Sequence, residues 1–202
     1  MFYLLKAFRY PLLNGIYLPF KIYHPCGIKI KQGANVSLAG RVTIGNPDKN
    51  KAIVSRLPSN LFLGMQSQIK IGHSVSIGPG VNIIVKDKAE LSIGSNTYFT
   101  SDMHLEVVKK VEIGESCAIS WGVTIIDDNH HRVVPGSSLQ HLSHVKIGDH
   151  VWIGCNVTIL TGTEIGKNSI VAAGSVVKGV FPDHVTIGGN PAKIIKQGVN
   201  WE

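Results

Sequence analysis

The segment IGDHVWIGCNVTILTGTEIGKNSIVAAGSVV, residues 147–177, repeats one pattern every six residues. Such an interval fits neither an α-helix nor a single alternating strand. It does fit a chain that runs straight for a few residues, turns, and repeats on three flat faces, so that three hexads complete one triangular coil. The aliphatic residue of each hexad is predicted to point into the prism. These residues are Ile147, Ile153, Ile159, Ile165, Val171 and Val177.

The same hexad pattern appears upstream in shorter blocks, which begin at Ile71, Ile93 and Ile113. Between blocks the count slips, so residues 85–92, 105–112 and 131–146 are predicted to contain extra residues. Glycine or another small residue suits the tight corner that follows the aliphatic residue. A second inward position, four residues after the aliphatic one, is predicted to be narrow. It holds Val75, Val81, Thr97, Cys117, Val123, Val151, Val157, Thr163, Ser169 and Ser175.

The composition supports one domain rich in turns. The chain has 202 residues, 22 of them glycine, and only 16% are charged, a mixture that is too apolar for disorder. The net charge of +7 permits an anionic partner. No basic run is interleaved with aromatic residues, so nucleic acid is not predicted. Three irregularly spaced cysteines fit neither a disulfide framework nor a zinc site, and a reducing, cytoplasmic location is predicted. They are Cys26, Cys117 and Cys155.

The first twenty residues, MFYLLKAFRYPLLNGIYLPF, are apolar but interrupted by Lys6, Arg9, Pro11 and Gly15. They contain no uninterrupted apolar span long enough to cross a membrane, and no small-residue cleavage site follows them. We therefore predict neither a signal peptide nor a spanning helix. The segment is predicted to be a short amphipathic arm that packs on its own domain or on a neighbouring subunit rather than on lipid.

The repeat segment, together with IGGNPAKIIK at residues 187–196, closely resembles the hexapeptide-repeat acyltransferases over roughly residues 70–196, with a looser start near Ile44. The resemblance implies an all-β fold, a left-handed parallel β-helix, although the usual preference for right-handed crossovers predicts the opposite hand. It is greatest to sugar O-acetyltransferases, including galactoside and maltose acetyltransferases and those that decorate bacterial surface polysaccharides. We predict an N-terminal arm and start of the coil at 1–43, a β-helix at 44–196 with an inserted loop at 127–146, and a tail at 197–202.

The inserted loop gathers polar residues at the point where the repeat breaks off after Ile125. Loops on a rigid scaffold commonly carry function, and in the family the catalytic histidine lies on such a loop. Acyl transfer from a thioester to a hydroxyl needs a base near neutral pH, and imidazole has a suitable pKa. Asp127 and Asn129 are the nearest side chains that could fix the tautomer of that imidazole.

Two adjacent histidines compete for the role of the base. Counting hexads from Ile125 puts residue 131 at an inward position and therefore favours His130. The related family motif resembles Asp-x-Asp-x-His, which matches Asp127, Asn129 and His131 in order. We take His131 as the predicted base, on the assumption that the chain has left the coil there, and keep His130 as the alternative.

The resemblance implies acetyl-CoA as the acyl donor. Lysines attract phosphates as point charges, and glycines let the backbone approach a ligand closely. By the resemblance, an aromatic residue lies beside the pantetheine arm, backbone groups bond that arm, and lysines lie near the nucleotide phosphates. These residues are, respectively, Trp152; Cys155 and Ala173; and Lys178, Lys193 and Lys196.

The segment YFTSDMH, residues 98–104, lies one coil before the loop and is predicted to stack near the loop base. Its position is similar to that of acceptor-binding polar residues in the family. Ser101 and Asp102 are therefore candidates to bind sugar hydroxyls.

These features predict an acetyl-CoA-dependent O-acetyltransferase that uses no metal and works in a groove between the prisms of a homotrimer. An amino sugar acceptor is an alternative, as is a noncatalytic scaffold. A further alternative is a zinc enzyme resembling the gamma-class carbonic anhydrases, which take three histidines from adjacent subunits. The candidate histidines are His104, His130, His131, His141 and His144.

Overall fold

The computed structural model describes residues 20–22, 26–45, 57–129 and 144–202, and they form strands and turns. In this part of the chain, no helix has the length and apolar composition needed to cross a membrane. The strands are β1 (Phe20–Ile22), β2 (Cys26–Ile30), β3 (Asn35–Leu38), β4 (Val42–Ile44), β5 (Ser59–Leu63), β6 (Gln68–Ile71), β7 (Val75–Ile77), β8 (Asn82–Val85), β9 (Glu90–Ile93), β10 (Tyr98–Phe99), β11 (His104–Val107), β12 (Lys110–Ile113), β13 (Ala118–Ile119), β14 (Thr124–Ile126), β15 (Val145–Ile147), β16 (Trp152–Ile153), β17 (Thr158–Ile159), β18 (Thr163–Ile165), β19 (Ile170–Val171), β20 (Val176–Val177), β21 (Val180–Phe181), β22 (Val185–Gly189) and β23 (Ala192–Gln197).

These strands form three parallel faces. The first face has the order β1-β4-β7-β10-β13-β16-β19-β22-β23, the second β2-β5-β8-β11-β14-β17-β20, and the third β21-β18-β15-β12-β9-β6-β3. The chain visits the first, second and third faces in turn, so three successive strands make one coil. We call the turns that follow these faces the first, second and third corners. The all-β class and the triangular coil predicted from the hexads are confirmed.

The interior of the prism is a column of aliphatic side chains. Ile153 and Ile159 are 0% exposed, and every aliphatic hexad position predicted between residues 147 and 177 is buried. The narrow second inward positions are buried as well. The hydroxyl of Thr163 at such a position donates to the carbonyl of Leu160 at 2.6 Å, which satisfies its hydrogen bond inside the coil. Both inward positions are therefore confirmed.

Glycine after the aliphatic residue is required by the distance between coils. The N–H of Gly94 donates to the carbonyl of Ile113 in the next coil at 2.8 Å. A Cβ on Gly94 would lie 2.4 Å from the carbonyl carbon of Gly114 and 2.5 Å from the nitrogen of Glu115. Both neighbours are backbone atoms, so a side chain here would force two coils apart.

The extra residues predicted in 85–92, 105–112 and 131–146 lie at the second corner. They separate β8 from β9, β11 from β12, and β14 from β15. The stacking survives each of them, because β12 still pairs with β15 in register, with Val111 opposite Val145. Extra residues at the second corner therefore leave the strand pairing on the third face intact. This is why a long loop can be inserted there.

The coil begins earlier than the periodicity suggested. β1, β2 and β3 make a complete coil that pairs with β4, β5 and β6, so the described residues before 44 form the first coil of the prism. Ile28 and Val36 are only partly buried, and within the described part of the chain this coil has a neighbouring coil on one side alone. The weaker apolar pattern of residues 20–38 reflects that position. At the other end, β23 turns back antiparallel to β22.

We predict that Gly94→Ala lowers the free energy of unfolding by about 3 kcal/mol or more, because overpacking here displaces backbone. Gly174→Ala is the matched control. Gly174 has a φ of 70° and open space around its Cβ position, so that variant should lose only about 1 kcal/mol through backbone strain. Denaturant unfolding of both variants measures the difference. Equal losses would show that distance between coils does not require the glycine.

Candidate active site

The loop leaves the prism at the second corner, directly after β14. The described residues continue to Asn129 and resume at His144. His130 and His131, the two candidate bases, and His141 lie outside the described residues. What can be described is the base from which the loop starts.

At this base lies a buried carboxylate. Asp127 is 0% exposed, and it accepts three backbone hydrogen bonds from the corner of the preceding coil. Its Oδ1 accepts the N–H of Val108 at 2.7 Å. Its Oδ2 accepts the N–H groups of Lys109 at 2.7 Å and Lys110 at 2.6 Å. The carboxylate therefore ties the start of the loop to the corner before it.

The carboxylate of Asp127 accepts hydrogen bonds of the kind that backbone carbonyls accept one coil earlier. One coil earlier, the second-corner N–H of Lys86 donates to the carbonyl of Val107, and that of Glu90 donates to the carbonyl of Lys109. At the corner formed by residues 108–110, the corresponding N–H groups donate to the carboxylate of Asp127. Asp127 follows Ile126 as Val107 follows Glu106, so a carboxylate occupies the inward position that valine fills in the coil before.

The surroundings of Asp127 affect its ionisation in opposite directions. Burial raises its pKa above the ordinary value, while the N–H donors of residues 108–110 stabilise the charged form and lower it. A carboxylate offers about four acceptor positions, and three are used by the backbone. Its first role in the described structure is therefore to anchor the loop.

The first face gathers most of the predicted donor-binding residues. Trp152 is 42% exposed there. The strand register places Ile170 next to Trp152, then Thr186, and then Lys196 on the antiparallel β23. Lys193 stands opposite Gly188 on the same pair of strands. An exposed indole and two exposed lysines thus share one face over successive strands.

Cys155 and Ala173 lie at the first corner, beside that face. The carbonyl of Cys155 accepts the N–H of Gly174 at 2.9 Å. The thiol of Cys117, in contrast, lies in the core, and burial raises its pKa to about 11. Cys117 is therefore a packing residue and not an activated nucleophile.

Lys178 is not brought together with the residues of the first face. It follows β20 on the second face and lies at the second corner, the corner opposite the first face. The loop base occupies the same corner two coils earlier. A single protomer therefore carries two separate groups, one on the first face around Trp152 and one at the second corner around Asp127.

Ser101 and Asp102 lie at the first corner, between β10 and β11. The loop base is at the other end of the second face, so within one protomer these residues do not stack beside it as the sequence suggested. Ser101 is 1% exposed, and its hydroxyl has no hydrogen-bond partner among the described residues. Asp102 is exposed and takes a φ of 51°.

The sequence reasoning missed Trp201 in the C-terminal tail. Its ring stacks on the imidazole of His150, with centroids 4.2 Å apart and planes at 8°. Its Nε1 donates to the carbonyl of His150 at 2.8 Å. The ring of Trp152 lies 6.3 Å away, tilted by 49°. The only sequence signal was an aromatic residue in a short polar tail after the last hexad.

Within the described ranges, no three histidine, cysteine, aspartate or glutamate side chains are grouped so that they could hold a metal ion. His104 lies near Glu106, with 3.9 Å between Nε2 and Oε2. His144 lies 3.2 Å from Glu164 on the third face. The remaining candidate zinc ligands fall in 130–143, outside the description.

We predict that Asp127→Ala lowers the free energy of unfolding by about 3 kcal/mol, because three corner N–H groups lose their acceptor. The matched control is Asp183→Ala. Asp183 is exposed and accepts one bond, from the N–H of Lys167 at 3.0 Å, so its loss should cost less than about 1 kcal/mol. Denaturant midpoints of the two variants test this. Similar midpoints would mean that Asp127 does not anchor the corner.

Comparison with known proteins identifies the family. Residues 144–179 match the model of the bacterial transferase hexapeptide, six repeats. WbbJ of Escherichia coli (strain K12), named as an O-acetyl transferase of lipopolysaccharide biosynthesis, is 31% identical over 147 residues, which cover 67% of this chain and 75% of WbbJ. The acetyltransferase YJL218W of Saccharomyces cerevisiae is 33% identical over 179 residues, which cover 87% of this chain and 85% of its own.

Among solved structures, the polysialic acid O-acetyltransferase OatWY superposes with a TM-score of 0.66 at 26% identity. The match covers 88% of this chain and 87% of OatWY. The coil is the left-handed parallel β-helix that the resemblance implied. The chain belongs to the hexapeptide-repeat acetyltransferases and is an acyltransferase.

Proposed function

We propose that this enzyme transfers an acetyl group from acetyl-CoA to a sugar hydroxyl, in a glycoside or a precursor of a bacterial surface polysaccharide. The names of two relatives support a sugar acceptor, since WbbJ is assigned to lipopolysaccharide biosynthesis and OatWY acts on polysialic acid. The chemistry of the first face supports the donor.

The observation that carries the proposal is the row of residues on the first face. The exposed indole of Trp152 offers an apolar surface for a pantetheine arm, and the glycines nearby let the backbone approach it. Further along the same face, Lys193 and Lys196 offer positive charge for phosphates. Apolar and cationic groups thus follow each other in the order in which an extended CoA molecule would need them.

In the proposed reaction, His131 takes the proton of the acceptor hydroxyl, with His130 as the alternative base. The oxygen attacks the thioester carbonyl, and a backbone N–H stabilises the tetrahedral oxyanion. The C–S bond then breaks, and the leaving thiolate takes the proton back from the imidazolium. Asn129 is the proposed partner that orients the imidazole, and Asp127 contributes by fixing the point at which the loop begins.

We further propose that the active site is shared between protomers of a homotrimer. The loop base and Trp152 lie on opposite sides of one prism, so loop and donor face meet most readily when the loop reaches the first face of a neighbour. Lys178, at the same corner as the loop base, would then face the donor bound to that neighbour. Asp102 is the proposed contact to the acceptor, with the hydroxyl of Ser101 behind it.

We predict that acetyl-CoA releases free thiol only when a sugar acceptor is present, in a panel of nucleotide sugars, glycosides and amino sugars. His131→Ala should lower kcat by about a hundredfold or more, because the base is lost. His130→Ala is the paired variant and should lower it much less. A reversed order makes His130 the base, and full activity of both variants would exclude general-base catalysis by this loop.

The panel and a metal assay also separate the alternatives. Turnover restricted to amino sugars would make the enzyme an N-acetyltransferase. One zinc ion per site in protein purified without added metal would favour the carbonic-anhydrase-like reading. Absence of thiol release with every acceptor would favour a scaffold.

Subunit mixing tests whether the site is shared. His131→Ala lacks the base, and a Trp152→Ala/Lys196→Gln protein should bind acetyl-CoA poorly. We predict that each alone is nearly inactive, and that unfolding and refolding them together restores activity at about a quarter of the sites, those that combine an intact loop with an intact face. Lys146→Gln, on the third face, is the charge control. No recovery on mixing would place the whole site within one protomer.

A further inference from the structure

The C-terminal tail, residues 198–202, is held against the third corner of the prism. The N–H of Val199 donates to the carbonyl of His184 at 3.0 Å, and the side chain of Val199 is buried. The indole Nε1 of Trp201 donates to the carbonyl of His150 at 2.8 Å. His150 lies at the third corner two coils before His184. The tail therefore follows the edge of the first face back from the last coil.

A row of hydrogen-bonded side chains lies at the same corner. His150, Asn168 and His184 occupy successive third corners, with φ of 54°, 56° and 59°. Nδ1 of His150 lies 3.0 Å from Oδ1 of Asn168, Nδ2 of Asn168 lies 3.5 Å from Nε2 of His184, and Nδ1 of His184 lies 3.2 Å from the carbonyl oxygen of Val199. A hydrogen on Nδ1 of both imidazoles gives each contact one donor and one acceptor. This row fixes the orientation of the ring on which Trp201 stacks.

Trp201 extends from this row to Trp152. Its ring is parallel to the imidazole of His150, with centroids 4.2 Å apart, and it lies 6.3 Å from the ring of Trp152 at an angle of 49°. That distance is within the range of direct aromatic contact. On the first face, the strand neighbours of Trp152 are Ala118 and Ile170. Within the described ranges, the aromatic contact to Trp152 therefore comes from the tail.

We propose that Trp201 is a positioning residue for the acyl donor, which holds the indole of Trp152 in the orientation that packs against the pantetheine arm of acetyl-CoA. This inference rests on the donor-binding role proposed for Trp152. An exposed side chain loses rotamer freedom when a ligand packs on it, and this loss weakens binding. Because contact with Trp201 restricts the ring of Trp152 in advance, donor binding is expected to be about three- to tenfold tighter than without it.

The position of Trp201 argues against a role in stability alone. A tail that only covered the last coil would need no more than Val199, which bonds His184 in that coil. Trp201 lies two coils further back, level with an indole that is 42% exposed. Its single polar group is already bonded to the carbonyl of His150, so the rest of its ring adds apolar surface beside Trp152.

The test is a double-mutant cycle in which the affinity of the full-length protein for CoA is measured by calorimetry. Trp201→Ala should weaken binding about three- to tenfold. Trp152→Ala should weaken it at least as much, and the double variant should bind no more weakly than Trp152→Ala, because Trp201 acts through Trp152. Asn200→Ala, which changes an exposed neighbour in the tail, is the matched control and should bind CoA normally.

Two further variants separate positioning from stability. Trp201→Phe keeps an aromatic ring and should restore the affinity for CoA to within about twofold of the unchanged protein. His150→Ala removes the stacking partner but keeps Trp201, so it should cause part of the loss. It also tests the inference if Trp201→Ala does not fold. Circular dichroism confirms the fold of each variant at the temperature of the binding measurement.

Three results would overturn the inference. Normal CoA affinity in Trp201→Ala, with weakened binding in Trp152→Ala, would remove the role of Trp201 and leave the proposed donor face intact. Additive losses in the double variant would show that Trp201 does not act through Trp152. Normal affinity in Trp152→Ala would contradict the proposed donor face itself, and the inference with it. The single variants thus distinguish a failure of this inference from a failure of the proposed function.

Discussion

The structure depends on hydrogen bonding between successive coils. Backbone N–H groups of the strands and corners donate to carbonyls of the neighbouring coils, so every coil must lie at one distance from its neighbour along its whole outline. That distance accounts for the aliphatic residue that fills the interior and for the glycine, such as Gly94, that permits backbone contact. It also sets a condition for any insertion: chain that leaves the stack must not leave donors behind without acceptors.

The loop meets this condition through one side chain. Where the chain departs after Ile126, the two oxygens of Asp127 accept the three N–H groups of the corner at residues 108–110. Val107, at the corresponding position one coil earlier, has an apolar side chain that accepts no hydrogen bonds. The excursion is thus compatible with a continuous stack on its third face, where Val111 and Val145 remain paired. Asp127 therefore connects the rigid coil to the start of the loop.

Sequence reasoning predicted the repetitive part well because the six-residue period determines which side chains point into the prism and are buried. The inward positions, the small second positions and the stretches with extra residues followed from counting hexads around Ile153 and its equivalents. The other features depend on how the coils are arranged in space, which the six-residue period does not reveal. Counting could not show that the three predicted stretches of extra residues fall at one corner, that Lys178 and Trp152 lie on opposite sides, or that Trp201 returns along the third corner to His150. Asp127 was recognised as part of the loop, but its backbone partners are distant in sequence and left no pattern. His130 and His131 stay predictions.

β23 has a consequence for assembly. A stack of identical coils has no intrinsic last member, and its exposed terminal edge could template another copy of the chain, giving open-ended fibres. Here the chain reverses after Asn190 and Pro191, lays β23 antiparallel against β22, and continues into a tail whose Val199 N–H bonds the carbonyl of His184. β23 therefore caps the first face at this end of the prism. Because β23 is antiparallel to the other strands of this face, a second copy of the chain cannot continue the parallel stack there.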